Sequence, residues 1–244
     1  MNTIKGSPQG TNRKTAIIVG VLYIIGTVAG ILSVVFYGPI LNGSDYLIKV
    51  SANENQIVLG ALCVLTMGLA LAMVAVMLFP ILKKHNEALA LGYVVFRGAL
   101  ETVTSIALVI SRLLLIPLSQ EFVKAGAPNA SYFQTLGALL LQGHDYSINP
   151  ISIIVFSLDA LMLYYVFYQS KLIPRWISVW GFIAILMHIS CAFLIWFRLV
   201  SPGISLTLFV INFPILIQEM VMAVWLIVKG FNQSAIASGA AKQI

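Results

Sequence analysis

Apolar residues fill this chain in six long blocks, separated by short polar stretches. The blocks run roughly over Thr15–Tyr37, Ile57–Leu82, Leu89–Ile116, Ile148–Gln169, Pro174–Leu199 and Ser205–Val228. Crossing a hydrocarbon core of ~30 Å takes about 20 helical residues, and every block is long enough. The pattern predicts an all-α, polytopic integral membrane protein whose six transmembrane helices form one bundle. That domain covers residues 15–230, with short tails at 1–14 and 231–244.

The polar links differ in length. "KKHNEA" joins the second and third blocks, and a few residues around Lys171 join the fourth and fifth. Links this tight make antiparallel neighbours. The segment 117–147 is much longer, and within it "NASYFQTLGALLLQG" from Asn129 carries a helix-start signal and an apolar face. It predicts a short amphipathic helix on the membrane interface, with a lid or a solvated connector as alternatives. The sequon Asn129-Ala-Ser131 is too short a motif to carry weight.

Composition agrees with the pattern. The chain is 60% hydrophobic and 9% charged, against about 25% charged residues in soluble domains. Mean hydropathy is +0.98. The net charge of +6 comes from basic residues scattered singly and in pairs, which fits membrane topology and predicts no nucleic-acid partner. The basic tail and first block are expected to read as a first transmembrane helix rather than as a secretory signal. That block is too long for one, lacks an A-x-A-like site and is followed by five more.

Loop charges predict the orientation. Lys5, Arg13, Lys14, Lys83, Lys84, Lys171, Arg175, Lys229 and Lys242 fall on the side of the termini, while Lys49 and Lys124 fall on the other. Positive-inside asymmetry then places both termini in the cytosol. The opposite loops hold Asp45, Glu54, Glu121 and Asp145.

Candidate chemistry lies where charge interrupts the apolar blocks. "RGALETVTS", from Arg97 to Ser105, sets an arginine and a glutamate four residues apart inside the third block. Four residues apart they share a helix face and can pair. The same stripe collects Thr104, Ser111 and Arg112, a polar seam that must face protein or water. At ~1.5 Å per residue, Arg97 lies ~14 Å and Glu101 ~20 Å from the cytosolic end. Asp159 falls at ~16 Å on the fourth helix, His188 at ~20 Å on the fifth and Glu219 at ~15 Å on the sixth. Ser152 shares a face with Asp159, and Asn212 shares one with Glu219. Pro214 removes a backbone hydrogen bond near Glu219 and predicts a kink.

Five ionisable residues from four helices thus fall in one mid-membrane layer. Burying each alone costs about 2.5–3.5 kcal/mol on insertion scales, so they are expected to converge. Three carboxylates against one arginine and one histidine leave negative charge in a low dielectric. Such a cluster holds a proton or binds a cation. The competing reading is an ion-pair lock that only fixes helix register.

Other features are structural. Gly26-x-x-x-Gly30 suits close helix packing. Trp176, Trp180, Tyr164, Tyr165 and Tyr168 suit interface anchoring, and Arg112 and Arg198 can snorkel to headgroups. Cys63 and Cys191 read as isolated small hydrophobes. "FPIL" recurs at Phe79–Leu82 and Phe213–Leu216, too short to define a repeat.

The chain resembles a bacterial integral-membrane family, domain-of-unknown-function family 4386. The likeness rests on "RKTAIIVGVLYIIGTVAGI", "FPILKKHNEALALGYVVFRGALE", "IPRWISVWG" and "PILIQEMVMAVWLIVKGF". It covers nearly the whole chain and implies a multi-pass protein of the bacterial cytoplasmic membrane. It implies no activity and no catalytic residues.

Three functional classes remain. The first is a transporter- or channel-like protein, expected as a homodimer in the lipid bilayer. Arg97, Glu101, Asp159, His188 and Glu219 would there handle a proton, a cation or a small polar solute. The second is an intramembrane enzyme. His85, His144 and His188 lie at different depths, which excludes a three-histidine zinc site and a bis-histidine haem, and no G-x-S-x-G is present. Carboxylates alone would have to serve, and no cofactor is expected. The third is a sensor or assembly protein whose buried ion pairs only hold the bundle.

Overall fold

A helix of 34 residues, α1 (Pro8–Leu41), opens the fold. The computed structural model describes residues 8–125, 130–202 and 205–241. The helices that follow are α2 (Tyr46–Ala52), α3 (Glu54–Leu82), α4 (Glu87–Tyr93), α5 (Glu101–Leu113), α6 (Leu115–Ala125) and α7 (Ala130–Gly143). They continue as α8 (Asn149–Ser170), α9 (Arg175–Trp196), α10 (Leu206–Val228) and α11 (Gln233–Ala241). Two wider, π-helical stretches, Val94–Leu100 and His144–Ile148, join α4 to α5 and α7 to α8 without a break. No strand occurs among the described residues.

Six helical stretches are long and apolar enough to cross a membrane: Asn12–Leu41, Glu54–Leu82, Glu87–Ala125, Ser131–Ser170, Arg175–Trp196 and Leu206–Val228. They follow the expected order of blocks. The third and fourth reach much further than hydropathy alone suggests. The segment 117–147, expected to carry one short amphipathic helix on the interface, instead holds α6 and α7, which extend the third and fourth helices. Pro117 sits in the first turn of α6 and has no N–H to offer Leu113, which explains the single-residue break at Leu114. The expected helix start at Asn129 and its sequon lie partly outside the described residues.

Two ends can be told apart by contacts. Arg13 donates to the carbonyls of Leu226, Ile227 and Val228 at 3.0, 2.6 and 3.2 Å, closing the end of α10. A cation on these orphan carbonyls also meets the negative end of the helix dipole. Asn232 N donates to Leu172 O at 2.9 Å, so α11 folds back over the α8–α9 link. At the opposite end α2, α6 and α7 pack together: Tyr46 Oη donates to Gln134 O at 3.4 Å, and Gln120 Nε2 donates to Glu54 Oε1 at 2.7 Å.

The apolar core divides accordingly, with a third, small cluster of Ile153, Cys191, Ala192, Ile195 and Leu208 besides two main parts. The larger part, with Tyr23, Leu78, Phe167, Ile177, Met222 and Phe231, fills the end nearer the termini. A second part, with Tyr37, Leu47, Ile57, Val64 and Leu115, fills the other. Gly26 and Gly30 let α1 approach α3: a Cβ at these positions would meet Leu71 at 2.8 Å and Met67 at 3.0 Å. The two cysteines are free, and Cys191 is buried. Between the two core parts lies a polar layer.

Candidate functional site

Arg97 owes its place to the π-helical stretch. Asn86 starts α4 by accepting from Leu89 N at 3.0 Å. The helix then widens over Val94–Leu100, with Arg97 at its centre. A π turn interrupts an α-helix at a cost in hydrogen bonding and is found mostly where function or a buried group demands it. Where the helix returns to α geometry, hydroxyls bind its carbonyls. Thr102 Oγ1 donates to Gly98 O at 2.7 Å, Thr104 Oγ1 to Glu101 O at 2.8 Å and Ser105 Oγ to Glu101 O at 2.9 Å.

The guanidinium is 1% exposed and draws in carboxylates from three helices. Arg97 Nη1 lies 3.1 Å from Glu101 Oε2 and 3.7 Å from Asp159 Oδ1. Arg97 Nη2 donates to Glu219 Oε1 at 3.3 Å. The rings of Phe156 and Tyr23 lie 4.9 and 5.6 Å from its Cζ, so π faces supply further negative potential. Tyr23 Oη and Tyr93 Oη meet at 3.3 Å behind it. Opposite charges at ~4 Å attract by about 4 kcal/mol at an effective dielectric of 20, which offsets part of the desolvation of four charged groups.

Satisfaction within the cluster is incomplete. The Nη1–Oε2 approach to Glu101 is not aligned as a hydrogen bond, and Arg97 Nε and Asp159 Oδ2 are buried without a protein partner. Glu101 and Asp159 approach the same guanidinium nitrogen, Nη1, so two carboxyl groups share one donor.

The four charged groups face different surroundings. Arg97 and Asp159 are each 1% exposed. Glu101 and Glu219 instead line a cavity of about 390 Å³, together with Ser152, Phe156, His188 and Asn212. The cavity also touches Asn149 and Phe209, near the end of the bundle away from the termini.

Of the residues expected from sequence, Arg97, Glu101, Asp159 and Glu219 come together. His188 does not join the ion pairs. Its Nδ1 lies 2.6 Å from Asn212 Oδ1, and its ring meets Phe156 edge-on at 5.0 Å. An amide oxygen only accepts, so Nδ1 carries the proton. Histidine and cluster share the cavity, and the Phe156 ring lies against both. Ser152 and Asn212 line the cavity as expected, whereas Thr104 does not, and Ser105 takes the buried position beside it. Pro214 lies within a continuous α10 (Leu206–Val228), between cavity residues Phe213 and Ile215.

Sequence reasoning missed two further groups. Gln218 is fully buried beside Glu219, accepting from Tyr164 Oη at 2.7 Å and donating to Ile177 O at 3.1 Å. Its position next to a buried glutamate was the available signal. Arg112 is the second: it is 9% exposed and does not snorkel. Its Nη2 lies 2.8 Å from His144 Nδ1 and 3.9 Å from Asp145 Oδ1. The residue was on the polar seam of its helix, but its partners sit at the end of the segment expected to lie along the membrane interface.

Fold and site define a polytopic α-helical membrane protein with a charged cluster enclosed at the centre of its bundle. The chain belongs to the family described as "Domain of unknown function (DUF4386)", which matches residues 18–230 and so includes every residue of the cluster. No curated protein and no solved structure matches it.

Proposed function

We propose that the protein is a transporter- or channel-like protein of the bacterial cytoplasmic membrane, with both termini in the cytosol. It binds a proton or a small cationic solute at Glu219 and Glu101. One observation supports this most: two of the three carboxylates around Arg97 line a cavity, while the arginine that should balance them is closed off behind. The cluster holds three acids to one guanidinium, so an added positive charge is favourable at the cavity wall. Among the described residues no three His, Cys, Asp or Glu side chains are arranged to hold a metal ion. His188 and Asn212, on the same wall, supply polar partners for the solute.

The test is purified protein in liposomes loaded with a pH-sensitive dye, under an imposed potential. Wild-type protein is expected to pass protons or to exchange them for an added organic cation. Glu219→Gln is expected to fold and to abolish that flux, because an amide keeps the shape of the acid but releases no proton. Folded wild-type protein with no flux under any gradient would sink the reading.

A specific observation also favours a structural lock: Arg97 is 1% exposed and bridges three helices. Under that reading Glu219→Gln removes a needed partner, and thermal stability in detergent falls sharply with no pH or ligand effect in the wild type.

A further inference from the structure

Arg112, His144 and Tyr37 come from three separate helices and meet at a second cavity, of about 340 Å³, which Ser33, Asp145 and Asn149 help to line. Each of the three is at least nine-tenths buried. Each also has a buried polar atom with no protein partner: Arg112 Nε, His144 Nε2 and Tyr37 Oη. Buried polar atoms are rarely left unpaired, because each forfeits its bonds to water. Three of them around one cavity point to a shared ligand.

The chemistry of the three atoms agrees. Arginine Nε and tyrosine Oη can both donate. His144 Nδ1 lies 2.8 Å from Arg112 Nη2 and 2.7 Å from Asp145 Oδ1. It cannot serve both at once, because the guanidinium only donates and the carboxylate only accepts. Bonded to Arg112 the neutral ring carries its proton on Nε2. Bonded to Asp145 the neutral ring carries its proton on Nδ1 and Nε2 accepts; there Nε2 donates only in the imidazolium. The tautomer bonded to Arg112 is therefore the one that suits an oxyanion. Asp145 is the one acidic group among the residues lining the cavity, and Arg112 Nη2 lies 3.9 Å from it. The guanidinium stays close to the tyrosine face, its Cζ 5.6 Å from the Tyr37 ring.

Backbone geometry supports a built site. His144 and Asp145 open the second π-helical stretch, His144–Ile148, just as Arg97 occupies the first. Tyr37 is seated against Gly60, where a Cβ would come within 2.7 Å of its ring. Both cavities touch Asn149.

We infer that this second cavity binds a small oxyanion, a carboxylate or phosphate group, through Arg112, His144 Nε2 and Tyr37 Oη. The group belongs to a free solute or to a lipid headgroup. Its contact with Asn149 places it at the approach to the carboxylate-lined cavity, at the end of the bundle away from the termini. It does not depend on the proton or cation reading of that cavity.

The probes are sodium acetate and inorganic phosphate at constant ionic strength, added to delipidated protein in a neutral detergent, with thermal unfolding as the readout. A parallel arm reconstitutes the protein in nanodiscs of phosphatidylcholine with or without phosphatidylglycerol and weighs the complex by native mass spectrometry. Wild-type protein is expected to gain thermal stability in a saturable way with acetate or phosphate, or to retain phosphatidylglycerol selectively. The first result makes the ligand a free anion and the second a headgroup. Tyr37→Phe removes one hydroxyl and no charge, so it is expected to fold and to bind about tenfold more weakly, as losing a hydrogen bond to a charged ligand implies. Arg112→Gln is expected to abolish binding where it folds. Glu219→Gln should leave the anion effect intact, which keeps this test separate from the first. No saturable effect and no selective lipid in the wild type would overturn the proposal, as would equal binding by Tyr37→Phe.

Discussion

Arg97 has no water to fall back on, so removing it exposes how the cluster is balanced. Arg97→Leu keeps an apolar side chain at a 1%-exposed position but leaves Glu101, Asp159 and Glu219 facing one another. Breaking a buried pair this way costs about 3–5 kcal/mol, so folded yield on size-exclusion chromatography should drop. Adding Asp159→Asn to the same chain removes one uncompensated charge and should recover part of the loss. A single variant as stable as wild type would mean the ion pairs contribute nothing net. The Arg97–Glu101 pair was legible in sequence because opposite charges four apart in an apolar run are tolerated there chiefly as a pair. Asp159 and Glu219 were legible by depth alone. The role of His188 was not, because rise along a helix gives height and says nothing of which face a residue turns toward. His188 has the right height and points at Asn212 instead of Arg97.

At the scale of elements, the two π-helical stretches decide both polar sites, and neither leaves a mark on hydropathy. A π turn advances fewer degrees per residue than an α turn, so a wheel drawn at 100° per residue drifts once it passes Val94–Leu100. This accounts for Thr104 falling off the expected seam and Ser105 taking the buried place. Deleting Val95 should let the helix close up as regular α and rotate Arg97 away from Asp159 and Glu219. The variant should behave like Arg97→Leu in a thermal melt while keeping its helical circular dichroism. Unchanged stability would show that the π stretch is incidental. Arg13 offers a second element-scale test: its three bonds to the last carbonyls of α10 are the kind of cap worth about 1 kcal/mol. Arg13→Gln should lower the melting midpoint modestly and leave flux unchanged, since it lies far from both cavities. The extra length of the third and fourth helices was hidden for a related reason. Polar residues in α6 and α7 lower the hydropathy, although α2 packs against them and gives their faces a partner.

For the whole molecule, six spans could be read in advance because membrane hydropathy sums over some twenty residues, and local irregularities average out. Orientation rests on a different sum. Lys14, Lys83, Lys84, Lys171, Arg175 and Lys229 belong to segments at the end where Arg13 closes α10 and α11 folds over the α8–α9 link. The opposite end offers Lys49 and Lys124, each already paired with a nearby acid at 2.8 and 2.9 Å. Basic residues resist translocation and stay on the cytosolic side, which predicts that the cavity mouths, near Asn149, open on the far side of the membrane. A fluorescent protein that matures only in the cytosol, fused after Ile244, should therefore glow. Alkaline phosphatase, active only outside, should work when inserted between Ala125 and Ala130 and fail at the C-terminus. The reverse pattern would turn both cavities toward the cytosol, and the solute and oxyanion would then have to be sought inside the cell.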